Sequence, residues 1–411
     1  MRIETIATGD ELLTGIISDT NSAFFQSLLL EKTGLTLKRG VVVGDDRADI
    51  IEALNAAAAR CDFVLVSGGL GPTTDDFTAE CAAKASGVEL VENAQAMEHI
   101  RARFEKRGLT LTDNNRRQAQ VPSDAEVVIN LEGAAPMFVQ RRGSCTLFYV
   151  PGVPREYRHL VETHVVPRIA KHAGVAEVRK LAVLKTSIPE SHLDAKVRPL
   201  MPLHPKVTFG FRTHAPENHL KLLAVGANDA EVQSALEAAV TASREVLGSQ
   251  VFARDEETMA GVVLRLLREK KQYLAVAESC TGGLVGASLT AEAGASEVFY
   301  GSAVTYLEEA KTKWAYVPEG LLGQYGAVSR ECAEAMASGV RSTTGVTWGL
   351  SVTGYAGPTG ADVGSVFIGL AGPDLVKVEH HRFHGDRERI RGFAAHTALD
   401  LLRRTLQGVN S

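Results

Sequence analysis

Three short segments in the first part of the chain combine carboxylates, hydroxyls and glycines. They are Thr8-Gly9-Asp10-Glu11-Leu12-Leu13, with Gly15 and Asn21 beyond; Ser67-Gly68-Gly69-Leu70-Gly71-Pro72-Thr73-Thr74-Asp75-Asp76; and Pro151-Gly152-Val153-Pro154-Arg155-Glu156. Glycine at 68, 69 and 71 lets backbone N–H groups come close to a phosphate. Pro72 fixes a turn, and a helix opening at Phe77 presents an amino end that favours anions. The carboxylates Asp10, Glu11, Asp75 and Asp76 would repel a phosphate unless a divalent cation lay between them. Oxygen ligands of this kind suit Mg²⁺ or Mn²⁺. The chemistry indicated is metal-assisted hydrolysis of a nucleotide or pyrophosphate. The ligand-binding candidates are Thr8, Gly9, Asn21, Ser67, Gly68, Gly69, Gly71 and Thr73. Each glycine cluster taken singly also reads as a tight βα turn with Asp caps. No Walker A loop and no G-x-G-x-x-G fingerprint occurs.

A second constellation lies in the last third. Glu278-Ser279-Cys280-Thr281-Gly282-Gly283 follows an apolar run, and its hydroxyls and glycines at a strand-to-helix junction make an anion cradle. Ser296, Thr305-Tyr306, Lys311, Ser351 to Gly360 and Phe383-His384-Gly385-Asp386-Arg387 follow. A serine hydroxyl is a weak nucleophile and needs a base, and Ser–Lys pairs are one solution. The lysine must then be neutral, which burial or a nearby cation achieves. Arg387 and the Tyr306 phenol could supply part of such an environment. Spacing alone leaves Ser296 and Lys311 open as a capping serine and a solvated lysine.

The elements that would hold these residues alternate. Strands are expected at Ile3–Ala7, Leu35–Val43, Asp62–Val66 and Thr146–Val150, with helices at Asn21–Lys32, Asp46–Arg60 and Arg155–Ala170. Such alternation argues for a parallel sheet covered on both faces, with ligands at the carboxyl ends of the strands. Residues 180–246 read as β-α-β-β-α, similar to a KH unit. No glycine lies between Gly174 and Gly210, so the G-x-x-G clamp of a nucleic-acid-binding KH module is missing and a spacer or dimer-contact role is favoured. Strands at Tyr273–Ala277, Val346–Thr353 and Gly364–Leu370, with helices at Glu257–Glu269, Gly283–Thr290 and Glu388–Thr405, restart the α/β pattern. The fold class expected is α/β: two α/β/α domains with mainly parallel sheets joined by a small α+β KH-like domain. The domain limits are 1–172, 173–252 and 253–411.

Composition narrows the function classes. Lys plus Arg number 44 against 49 Asp plus Glu, a net charge of −5, and aromatics are 6%. Neither figure favours a nucleic-acid binder, which would show a basic stripe and stacking aromatics. The five cysteines are odd in number and contain no C-x-x-C, so neither a disulfide framework nor a cysteine zinc site is expected. No apolar run is long enough for a membrane span, and the amino terminus lacks a signal-peptide pattern. A cytoplasmic location is the expectation.

T-G-D-E-L-L-x-G, S-G-G-L-G-P-T-x-D-D and P-G-V-P-R-E resemble the N-terminal domain of the competence/damage-inducible CinA family, itself similar to the molybdopterin-binding fold of MoaB and MogA. The resemblance implies a divalent-metal-dependent ADP-ribose pyrophosphatase releasing AMP and ribose 5-phosphate. Its metal would be Mg²⁺, Mn²⁺ or Co²⁺, with K⁺ as a further candidate. Ala134 and Met137 stand where the family carries Thr and Gly, which removes a hydroxyl and adds a side chain where backbone would approach the ligand. A-E-S-C-T-G-G, V-T-Y with Lys311 five residues on, G-x-A-G-P-T-G and F-x-G-D-R resemble the C-terminal CinA domain, found alone as the nicotinamide mononucleotide deamidase PncC. That resemblance implies hydrolysis to nicotinic acid mononucleotide and ammonia without a cofactor. It makes Ser296 the nucleophile, Lys311 the base and Tyr306 the residue that assists proton transfer. Ser279, Thr281, Gly282, Gly283, Thr353 and Arg387 would bind substrate, with Arg387 on its phosphate. A homodimer is expected from the family. The competing readings are a non-catalytic scaffold in DNA uptake and a molybdopterin-binding protein.

Overall fold

The computed structural model describes residues 1–174, 177–360 and 362–409. The chain forms two compact units. One holds Met1–Lys180 with Val225–Asp229; the other holds Leu181–Ala224 and the chain from Ala230 onward.

The first unit is built on a six-stranded sheet in the order Arg39–Val43, Ile3–Thr8, Phe63–Ser67, Cys145–Val150, Met137–Arg142, Glu126–Val128. The first four strands run parallel and the last two join antiparallel. Alternate side chains of Phe63–Ser67 serve two cores. Val64 and Val66 pack with Ile50, Leu54 and Cys81 on one face. Phe63 and Leu65 pack with Phe25, Leu29 and Tyr157 on the other. A strand buried on both faces is apolar along most of its length, as the F-V-L-V run of Phe63–Val66 is.

Two expected elements differ. The strand expected over Leu35–Val43 begins only at Arg39. Gly34, at φ 74°, ends the preceding helix, and Leu35 and Leu37 spend the next residues packing on the core beneath it. The helix expected over Arg155–Ala170 is interrupted by a π-turn at Val161–Val165, between Pro154–Leu160 and Val166–His172. Pro167 has no N–H to give the preceding turn, which widens the helix there.

The residues read as KH-like, most of them in the second unit, form an antiparallel-containing sheet in the order Val207–His214, Glu217–Gly226, Val178–Thr186, Val251–Arg254. Helices Glu190–Val197 and Asp229–Leu247 belong to the same segment. A five-stranded sheet follows in the order Phe299–Val304, Leu274–Glu278, Trp348–Gly354, Ser365–Ala371, Val376–Arg382. Leu274–Glu278 is parallel to both neighbours, and the last two strands are antiparallel. Leu274 and Val276 face the helices Met259–Lys270 and Arg387–Leu406, while Ala275 and Ala277 face Cys332 and Met336 of Arg330–Thr344. The fold class is therefore the expected one. All five cysteines are buried and free. No helix among the described residues is long and apolar enough to cross a membrane.

Candidate functional site

The strand Leu274–Glu278 is buried along its whole length and lies between two parallel partners, so its carboxyl end is the place where sheets of this kind hold ligands. Ser279 is the first residue beyond it, and its N–H donates to the Val352 carbonyl at 2.9 Å. Gly282 and Gly283, at φ 61° and 94°, take backbone conformations that other residues resist, and turn the chain into the helix Leu284–Thr290.

Lys311 comes from the helix Glu308–Ala315 and is 1% exposed. Its Nζ lies 2.8 Å from Ser279 Oγ and donates to the Thr305 carbonyl at 2.8 Å. Thr305 is itself held by its N–H to the Glu278 carbonyl at 2.7 Å. Burial pushes the Lys311 amine below the ordinary lysine range, partly opposed by Cys332, Cys280 and Glu308. Burial pushes the Cys280 and Cys332 thiols up to about 11, so at neutral pH both carry no charge to oppose it. No carboxylate pairs with Lys311 among the described residues. A neutral amine 2.8 Å from a serine hydroxyl can take its proton.

The expected pairing of Ser296 with Lys311 does not form. Ser296 is exposed in the turn Ala295–Glu297, directly before the strand Phe299–Val304. The parallel register sets Phe299 beside Leu274 and Val304 beside Glu278. Ser296 therefore sits at the amino end of the sheet and Lys311 at the carboxyl end, a strand length of roughly 16 Å apart. The strand-end rule, applied to the apolar run before Ser279, contained this answer.

The expected anion cradle at Gly282 and Gly283 is filled from within. Glu278 is fully buried. Its Oε2 accepts the N–H groups of Gly283 and Val285, both at 3.0 Å. Its Oε1 accepts the Gly286 N–H at 2.9 Å and the Ser302 hydroxyl at 2.7 Å. These N–H groups are taken by Glu278 and are not left for an outside anion. Neither Glu278 nor Ser302 was among the candidates. The available signal was a glutamate ending a buried strand ahead of two glycines.

Tyr306 is 56% exposed and its phenol oxygen accepts from Arg387 at 2.7 Å. Arg387 also donates to the Gly357 carbonyl at 2.6 Å, keeping further N–H groups for a ligand. Thr353 is buried and its hydroxyl donates to the Ala327 carbonyl at 2.6 Å. Thr281 is fully buried; its hydroxyl has no hydrogen-bond partner among the described residues, and Arg391 donates to its carbonyl at 2.7 Å.

In the first unit, the three strand-end segments meet around a cavity of about 660 Å³. Thr8, Asn21, Ser67, Gly68, Gly69 and Gly71 line it, with Glu11 and Asp76; Gly9, Asp10, Thr73 and Asp75 stand outside its wall. Asn21 ties the segments together, its amide donating to the Gly152 carbonyl at 2.8 Å and to Ser67 Oγ at 3.3 Å. Gly68 has φ 107°, and a Cβ there would lie 2.6 Å from the Thr8 carbonyl oxygen. Asp76 is turned back on its own loop, accepting from the Thr73 N–H at 2.9 Å and from the Thr73 hydroxyl.

The Asp45 N–H donates to the Asp10 carboxylate at 3.0 Å, and the Asp10 N–H donates to the Asp45 carboxylate at 3.1 Å. Burial raises the Asp45 pKa, and the charges of Asp10, Glu11 and Asp75 raise it further against one backbone hydrogen bond. Among the described residues, no three His, Cys, Asp or Glu side chains come together to hold a metal. The expected set Asp10, Glu11, Asp75 and Asp76 is thus no protein-only cage. Mg²⁺ normally takes one or two carboxylates plus substrate phosphates, and only that arrangement fits these donors.

The segment carrying Ala134 folds around buried Asn130. The Asn130 amide donates to Glu156 Oε2 at 2.6 Å, and its oxygen accepts from the N–H groups of Glu132 and Gly133. Ala134 lines the cavity. Met137 does not enter the ligand's space: it is fully buried and packs in the core with Val139 and Tyr157. Asp45 and the cavity-wall cations Arg103 and Arg107 were missed, because each is contributed from outside the glycine-rich motifs.

Two α/β units, each with a polar strand-end site, define a protein of two fused modules. Residues 4–171 match the family described as probable molybdopterin binding domain, and residues 256–406 match the CinA C-terminal domain. A CinA-like protein of Myxococcus xanthus (strain DK1622) is 49% identical over 99% of this chain and 98% of its own length. One from Geobacter metallireducens is 40% identical over 99% of each. A crystal structure of CinA from Thermoplasma acidophilum is 33% identical and covers 41% of this chain and 97% of that one, with a TM-score of 0.38. The chain belongs to the CinA family.

Proposed function

We propose that the second unit is an amide hydrolase that converts nicotinamide mononucleotide and water into nicotinic acid mononucleotide and ammonia. The observation that carries this reading is the buried Lys311 amine 2.8 Å from Ser279 Oγ. Neutral Lys311 takes the Ser279 proton as Oγ bonds to the carboxamide carbon. The resulting ammonium returns that proton to the nitrogen as the C–N bond breaks and ammonia leaves. Water then attacks the Ser279 ester with Lys311 again as base, and the acid leaves as Oγ is reprotonated. The Thr305 carbonyl fixes where Nζ points throughout. The test is coupled measurement of ammonia and nicotinic acid mononucleotide from purified protein; absence of both sinks the reading.

Arg387 supplies the charge for the substrate phosphate, since the glycine-rich helix end is occupied. Loss of one charge-assisted contact costs about 1.5–3 kcal/mol, so Arg387→Ala is expected to raise KM roughly 10- to 100-fold with a smaller change in kcat. An unchanged KM for nicotinamide mononucleotide would move the phosphate elsewhere.

For the first unit we propose hydrolysis of the ADP-ribose pyrophosphate, one water being consumed as the P–O–P bond breaks to give AMP and ribose 5-phosphate. The cavity, its left-handed glycines and the Asn21 bridge support this. A divalent ion would be held between the phosphates and the Asp10, Glu11 and Asp45 neighbourhood, where it would neutralise phosphate charge. Asn21→Ala removes two hydrogen bonds that hold the cavity's walls, at about 1 kcal/mol each, and is expected to slow AMP release by about tenfold or more. AMP release measured with Mg²⁺, Mn²⁺ or Co²⁺, with and without K⁺, checks it. A pterin that raises the unit's melting temperature, without AMP release, would favour molybdopterin binding instead. The cytoplasmic location and the homodimer belong to this proposal too, and light scattering tests the second.

A further inference from the structure

Glu278 is a fully buried carboxylate with no Lys or Arg partner among the described residues. Isolated buried charges are strongly disfavoured, so its four hydrogen bonds must compensate for the lost water. Those donors come from two different elements. Gly283, Val285 and Gly286 give N–H groups from the first turn of Leu284–Thr290, and Ser302 gives its hydroxyl from the neighbouring strand. Gly286 makes room for this: a Cβ there would lie 2.9 Å from Ser302 Cβ and 3.4 Å from Glu278 Oε1.

We propose that Glu278 is the positioning residue of the Ser–Lys pair, an inference that rests on the deamidase reading above. Its backbone and side chain hold the two halves of the pair separately. The Glu278 carbonyl accepts from Thr305 N–H, and the Thr305 carbonyl accepts from Lys311 Nζ. That arm sets the base. The Glu278 carboxylate draws the start of the next helix back onto the end of the strand, which closes the loop Ser279–Gly282 to a single course. That arm sets the nucleophile. An ordinary capping side chain would satisfy one or two N–H groups of the helix from its own loop. A carboxylate reaching from the strand instead locks strand, loop and helix as one piece, with Ser279 inside it.

The experiment compares the full chain with Glu278→Ala and Glu278→Gln, using nicotinamide mononucleotide turnover and the rate of Ser279 labelling by a fluorophosphonate. Displacing reacting groups by about 1 Å costs about 10²-fold, so Glu278→Ala is expected to lose roughly that factor in kcat with KM within about threefold. Labelling of Ser279 should slow in parallel. Formate, a small carboxylate able to take the vacated position, should recover at least about tenfold of the loss, which a merely destabilised fold would not do. Glu278→Gln keeps the shape but presents an amide nitrogen to N–H donors, and should fall between the two. If Glu278→Ala does not fold, Glu278→Gln and Ser302→Ala carry the test through the same kcat-against-KM split. Folded variants with wild-type kcat and labelling rate, or a loss that formate does not touch, overturn the inference while leaving the deamidase reading in place. A wild-type chain that neither releases ammonia nor labels overturns that reading and this inference with it.

Discussion

Ser279→Ala is expected to abolish ammonia release from nicotinamide mononucleotide, while Ser296→Ala leaves it within about twofold, the scale of an ordinary surface substitution. Loss of a nucleophile that acts as a unit with its base removes at least about 10³-fold in kcat. The two serines differ in place, not in type. Ser279 leaves the carboxyl end of the central parallel strand and meets Lys311; Ser296 is exposed at the strand's other end. Steady-state ammonia assays on both variants, with circular dichroism to confirm folding, decide between them. Activity that survives Ser279→Ala and disappears in Ser296→Ala would contradict the assigned pair.

Lys311→Met is expected to abolish activity and yet raise stability. The amine is 1% exposed and burial depresses its pKa, so near neutral pH the fold bears the cost of holding it. The unfolded chain keeps an ordinary lysine near 10.4 and so binds more protons than the folded chain between the two pKa values. Stability therefore rises with pH through that window and is least favoured below the depressed value. Methionine fills much of the same space without the charge, and a gain of about 1 kcal/mol would raise Tm by roughly 2–4 °C for a unit of this size. Activity follows the same titration with the same sign. The base works only when neutral, so kcat/KM of the wild type should climb with pH along a single limb that lies below the ordinary lysine range. Thermal melts across pH and a pH–rate profile check both halves. A variant that loses stability, or a rate that falls as pH rises through that range, would show that Lys311 is a charged structural residue.

Much of the fold was legible in the sequence because its signals were local. Phe63 to Val66 is an apolar run ahead of Ser-Gly-Gly, and it lies in a strand buried on both faces that stops where the cavity begins. The same logic placed a strand at Tyr273–Ala277, and the structure has it one residue further on, at Leu274–Glu278. Pairing was harder. Ser296 and Lys311 lie fifteen positions apart and share a region of the sequence, but the parallel strand between them carries the chain from one end of the sheet to the other. Glu278 was invisible for a related reason. It looks like one more polar residue at a strand end, and only the folded chain shows its side chain turned inward onto three N–H groups and a hydroxyl. In the first unit the carboxylates looked like a metal set because four fall within two short motifs. Folding turns Asp76 onto Thr73 and sets Asp10 opposite Asp45, a residue outside both motifs.

On the proposed mechanism, the buried Lys311 and Ser279 together hydrolyse a nucleotide carboxamide. The most direct test is product analysis on the purified wild-type chain given nicotinamide mononucleotide, with ammonia and nicotinic acid mononucleotide measured in the same reaction. Equal amounts of both, formed without added metal, are the predicted result. Intact substrate after prolonged incubation with folded protein would contradict it.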